Sequence, residues 1–180
     1  MSDSIKLKEL VALIEQWAED RNIINGTQPI DQSMKLFEEF GELAKNVAKG
    51  RDIKDDVGDV FVVLTNLCKQ CNRSISDYLD KEKFIASGIK VDVAFLGSEL
   101  GAIATELYNN RGEDYFPEYA VVFAVMRLKN IATQGGTTLE ECVETAYNDI
   151  KDRVGVVING TYIKSTDEAY QDALIALGKA

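Results

Sequence analysis

Residues 38–59, EEFGELAKNVAKGRDIKDDVGD, carry two acidic pairs, Glu39 with Glu42 and Asp56 with Asp59. The members of each pair stand three positions apart, which on a helix puts both carboxylates on one face. Such groups either sit solvated on a surface or hold a cation. If the two helices pack antiparallel, all four carboxylates converge, and four like charges that close repel unless cations sit among them. Hard oxygen donors without histidine or thiolate select Mg2+, or Mn2+, over zinc and copper.

The flanking residues favour the metal reading over plain surface charge. Lys35, Glu39, Glu42 and Asn46 form one polar stripe beside the apolar stripe Leu36, Phe40, Leu43 and Val47, with Phe37, Ala44 and Ala48 on the other flank. Downstream, Asp56, Asp59, Val63 and Asn66 share a face, and Asp59 abuts the run VFVVL, apolar on all sides as in a buried helix. A carboxylate there must be paired or metal-bound, because burying it alone costs several kcal/mol. Gly41 and Gly58 each interrupt an acidic group. A helix-interior glycine costs about 1 kcal/mol relative to alanine, and a close helix–helix approach is the usual offset.

The elements that must position these groups are helical almost throughout. A first helix carries the stripe Leu7, Leu10, Leu13, Ile14 and Trp17, and the loop NIINGTQPIDQ follows. Helices are then expected over about 32–49, ended by Gly50, and over 54–70. Ser74 or Ser76 can cap a shorter one near 77–84. Further helices are expected over 91–110, from Pro117 to about Ala132, and from the capping box at Thr138–Glu141 to about Arg153. VGVVINGTYIK alternates around Asn159-Gly160, a two-residue hairpin signal. Thr166 caps a last helix through Leu177.

An internal repeat runs through this order. EEFGEL at 38–43 resembles SELGAI at 98–103, and DDVGDVFVVL at 55–64 resembles PEYAVVFAVM at 117–126. The second copy keeps Glu99 and Glu118 but has Ala102 and Val121 where Glu42 and Asp59 stand. A decayed duplication and a coincidence of helical pattern both produce this.

Composition narrows the classes. The chain has 180 residues, 46% of them hydrophobic, with two prolines, as expected of one folded domain. No apolar run approaches a membrane span, and the N-terminus reads as helix rather than signal peptide. A net charge of −10 argues against a nucleic-acid partner. The absence of histidine excludes Ser–His–Asp and Cys–His triads and His-ligated metals. Cys68-x-x-Cys71 lies on a helical pattern with no second pair, so it reads as core thiols of a cytoplasmic protein.

EEFGEL followed by DDVGDVFVVL resembles the E-x-x-E…E-x-x-D signature of the MazG-like all-α nucleoside triphosphate pyrophosphohydrolases, and Trp17-Ala18 with Arg21, and IKDRVGVVINGTYIK, resemble further segments of such proteins. The match is good over 5–85, the tail at 147–165 adds to it, and the stretch between them is the poorer copy; the degenerate repeat covers 90–153, and the hairpin and tail helix 154–180. It implies a single all-α MazG-like bundle over 1–180, an internally duplicated pseudo-dimer with a C-terminal β-hairpin and final helix. It also implies Mg2+-dependent hydrolysis of a (d)NTP to the monophosphate and pyrophosphate, and homodimers. Glu39, Glu42, Asp56 (where Glu is usual) and Asp59 then hold the metal. Glu39 or Glu42 takes the proton of the water attacking the α-phosphorus.

Lys35 matches a lysine often found there and is a phosphate contact. Lys54, Arg153 and Lys164 are further candidates, with plain surface charge as the equal reading. Trp17 either stacks a base or is core, and Asn66 either reads a base edge or is a helix-contact amide. Two other classes stay open: a catalytically weak nucleotide-binding or regulatory protein of the same fold, and a related pyrophosphatase acting on another phosphoanhydride such as phosphoribosyl-ATP.

Overall fold

The computed structural model describes residues 3–81, 87–110 and 115–179. Within these, eight α-helices and one short antiparallel hairpin follow in order: α1 Asp3–Asp20, α2 Ile23–Gly26, α3 Pro29–Ala48, α4 Lys54–Gln70, α5 Ile89–Asn109, α6 Glu118–Gln134, α7 Leu139–Ile150, β1 Gly155–Ile158, β2 Thr161–Lys164 and α8 Tyr170–Ala176. The fold is therefore mostly helical, and among the described residues no helix is long and apolar enough to cross a membrane.

Helix α4 is the axis of the bundle. Every residue from Val57 to Cys68 is buried except Asp59, as the unbroken apolar run requires. It packs most extensively on α7, then on α3, and also meets α1 and α6. Helices α5 and α6 form a second packed pair that leans on α3. Asp92 of α5, fully buried, accepts from Arg127 Nη1 at 2.8 Å and Gln134 Nε2 at 2.6 Å, so its charge is paired across that interface. Thr138 and Glu141 make the reciprocal capping box that opens α7. The Asn159-Gly160 turn has both residues at positive φ, 50° and 76°, the geometry of a type I′ hairpin.

Several expectations are corrected. The segment read as one loop holds α2, and α3 starts at Pro29. Proline at a first helical position loses no hydrogen bond, and Asp31 accepts from the Gln28 N–H at 2.8 Å. Leu13 is 47% exposed, and Val11 is buried in its stead. The element capped by Ser74 is a single 3-10 turn, Ile75–Tyr78, and the remainder of the helix expected there reaches into 82–86, outside the described residues. The last helix begins at Tyr170 rather than after Thr166, because Asp167 turns back to accept from the Lys164 N–H.

The two helix-interior glycines part company. A Cβ on Gly58 would lie 2.2 Å from the Cys142 carbonyl oxygen of α7, so a close approach does require glycine there. A Cβ on Gly41 would meet nothing within 4 Å. Gly41→Ala is therefore expected to stabilise the protein by about 0.5–1 kcal/mol through the unfolded chain's lost freedom. A thermal melt checks this, and a lower melting temperature would contradict it.

Candidate functional site

A cavity of about 560 Å³ opens between α1, α3, α4, the end of α7 and the hairpin. Six of the residues singled out from the sequence line it: Trp17, Lys35, Glu39, Asp59, Asn66 and Arg153. Its size is that of a small-molecule site.

The charged residues form one group. Lys35 Nζ lies 2.7 Å from Glu39 and 2.9 Å from Glu38, one turn apart on α3. Burial works against the Lys35 charge, but the hydrogen bonds to Glu39 and Glu38 outweigh it and hold the ammonium above its ordinary range. Asp59 is half-buried among apolar neighbours. Burial first, then the like charges of Asp55 and Glu39, push its carboxyl up to about 7, with Arg153 opposing. Asp55 is raised as well, by burial and by Asp149 and Asp56.

Apart from Asp31, the rest of the cavity is apolar or neutral. Trp17 donates its Nε1–H to Ile150 O at 2.9 Å and carries the Arg21 guanidinium over its ring at 4.9 Å. It is anchored as a wall rather than free to swing. Asn66, 4% exposed, stands two turns beyond Asp59 on α4, about 10 Å along the axis. Thr27 Oγ1 accepts from Gln32 and Gln70 and donates to Ile23 O, so its hydrogen bonding is complete within the chain.

Four predicted site residues stand outside this cavity. Glu42 is exposed on α3. Asp56 faces α3, where Asn46 Nδ2 donates to both its oxygens at 3.1 and 2.9 Å. Its carboxyl is raised by burial, with that amide pulling the other way. Lys54 sits near the start of α7, where its charge acts on Glu141 and Cys142. Lys164 lies exposed on β2. The reading from sequence also passed over Asp55, which is coupled to both Glu39 and Asp59. Its signal was present, since Asp55 and Asp59 are spaced i, i+4. Nothing in the helical pattern pointed to the hairpin residues Val157, Gly160 and Tyr162 that complete the wall.

Among the described residues no three acidic or thiol side chains are gathered closely enough to hold a metal ion. The donors nevertheless suit a hard divalent cation. They are all carboxylate oxygens, and the raised Asp59 marks a place short of positive charge. In the second half, Val121 is fully buried and Glu118 exposed, so no comparable acidic group forms there among the described residues.

An uncharacterized 18.2 kDa protein from the rep-hol intergenic region of Haemophilus phage HP1 (strain HP1c1) is 34% identical over 161 residues, which cover 78% of this chain and 97% of the phage protein. No family model matches the chain. No solved structure matches it either.

Proposed function

This chain belongs to the family of that Haemophilus phage HP1 protein, and we propose that it is a MazG-like pyrophosphohydrolase that cleaves a (d)NTP to the monophosphate and pyrophosphate with Mg2+. The observation that carries this reading is the shared cavity, in which Glu39 and Asp59 stand with Lys35 and Arg153, while Trp17 and Asn66 supply a neutral wall. Glu39 and Asp59 would hold the metal, and Glu42, Asp55 and Asp56, which stand outside the cavity on α3 and α4, would have to move toward it to add oxygen ligands. When bound, Mg2+ neutralises and polarises the triphosphate. Glu39 accepts the proton of the water that attacks the α-phosphorus. Lys35 and Arg153 balance the charge of the departing pyrophosphate.

In the same reading, residues 90–153 are a decayed copy of the motif-bearing half, and the chain is a pseudo-dimer with one complete site. Self-association to a homodimer would use the exposed α3 face of Ile30, Met34 and Phe37. A second reading, a nucleotide-binding protein without turnover, draws support from the spread of the carboxylates.

The deciding experiment is pyrophosphate release from a panel of NTPs and dNTPs with Mg2+ or Mn2+, run on wild type and Glu39→Gln. We expect turnover in the wild type and a loss of at least about 100-fold in the variant. No release from any nucleotide by folded wild type would favour the binding protein.

A further inference from the structure

We propose that Arg21 is a positioning residue of the site: it holds the end of α7 so that Arg153 is presented to the polyphosphate of the substrate. The inference rests on the nucleoside triphosphate reading and adds to it a residue that stands behind the cavity wall, in the turn that follows α1.

Helix α7 ends at Ile150, and the last carbonyls of a helix have no partner within it. Here they are met from outside. The Trp17 Nε1–H donates to Ile150 O at 2.9 Å. The Arg21 guanidinium donates from Nη2 to Lys151 O at 3.2 Å and from Nε to Arg153 O at 2.7 Å, while Nη1 turns back to Trp17 O at 3.2 Å. A cation at this end of a helix is favoured by the helix dipole as well. The Arg21 carbonyl in turn accepts from the Val157 N–H of β1 at 2.7 Å. One residue thus ties together α1, the end of α7 and the hairpin, each of which contributes to the cavity wall.

Arg153 is the group that this arrangement fixes. Its N–H donates to Ile150 O at 2.9 Å and its carbonyl accepts from Arg21, so its backbone is held on both sides. Its own Nε donates to Asp149 O at 3.1 Å, which anchors the side chain to the same helix end. Arg153 lines the cavity, and its charge acts on Asp55 and Asp59. Arg21 does not line the cavity, and all three of its nitrogens donate to carbonyls. It therefore acts through Arg153 rather than on a phosphate. A planar fork reaches the three carbonyls at once; a lysine keeps the charge and loses that geometry.

The test is calorimetric binding of inorganic tripolyphosphate and of a non-hydrolysable nucleoside triphosphate, each with Mg2+, to wild type, Arg21→Lys, Arg153→Gln and the double variant, well below the melting temperature of each. Arg21→Gln takes the place of Arg21→Lys if the lysine variant does not fold. We expect each single variant to bind both probes about tenfold more weakly, and the double variant to bind no more weakly than Arg153→Gln. An Arg21 variant that binds as wild type does would overturn the inference. So would a further loss in the double variant, which a general loosening of the cavity or a direct phosphate contact would give, and so would unchanged affinity in Arg153→Gln. With the nucleotide still bound by wild type, all three results leave the nucleotide reading standing. A wild type that binds neither probe, or tripolyphosphate alone, would sink the nucleotide reading and this inference with it.

Discussion

Asp59→Asn is expected to make the protein more stable at pH 8 and, if the proposed pyrophosphohydrolase activity holds, to lower that activity at least about 100-fold. The Asp59 carboxyl is raised from 3.8 to about 7, by burial first and then by Asp55 and Glu39. Its proton is therefore held more tightly in the folded chain than in the unfolded one, and stability falls as pH rises. The penalty is absent below the unfolded value near 3.8, grows through the interval, and is complete above about 7.

Counted in full, a shift of this size is about 4 kcal/mol. Solvent still reaches the half-buried group, and screening reduces the figure to about 1–2 kcal/mol. For a chain of this length that is a rise in melting temperature of about 2–8 °C for the amide variant at pH 8, vanishing near pH 4. Saturating Mg2+ should narrow the gap, since a cation that binds only the folded wild type stabilises it by mass action. Turnover should fall at least about 100-fold, because the amide keeps the shape but loses the charge. Paired melts at pH 4 and pH 8, with and without Mg2+, read all of this. A variant that melts lower at pH 8 would show that the ionised carboxylate is well paired in the fold.

The residues explain why some of this was legible in the sequence. The bounds of α4, Lys54–Gln70, were those expected from its periodicity, because an all-round apolar run has one place to go, the centre of the core. The hairpin was legible because Asn-Gly carries its own turn geometry. The start of α3 was misread because Pro29 is a breaker inside a helix and a good first residue at its start, and only the Asp31–Gln28 contact distinguishes the two. The cavity lay beyond reach for a different reason. Its far wall is a hairpin that returns to α1 and α2 through Val157 and Gly160, pairings separated by more than a hundred residues that leave no periodic trace. The choice of Asp56 over Asp55 followed the motif spacing. The packing instead turns Asp56 toward Asn46 on α3 and leaves Asp55 in the field of Asp59.

Gly58→Ala should be strongly damaging, although helix propensity alone would make it favourable by about 1 kcal/mol. The added Cβ would sit 2.2 Å from Cys142 O, 2.8 Å from Cys142 C and 2.7 Å from the Ala146 Cβ. Two of these are backbone atoms of α7, which cannot rotate out of the way as a side chain can. Helices α4 and α7 must separate along the most extensive interface of the bundle. Overpacking of a core costs about 1–3 kcal/mol where side chains can yield; against a helix backbone we expect a net loss of about 3 kcal/mol, or a melting temperature lower by about 6–12 °C. The cavity is affected as well, since Gly58 is the neighbour of Asp59 and α7 ends at Ile150, just before Arg153. On the proposed function, pyrophosphate release measured well below the melting temperature should therefore drop in Gly58→Ala and hold in Gly41→Ala. The two glycines occupy equivalent places in E-F-G-E and D-V-G-D, so the pair is its own control. Matching melting temperatures in the two variants would mean that α4 and α7 do not approach as closely as Cys142 and Gly58 require.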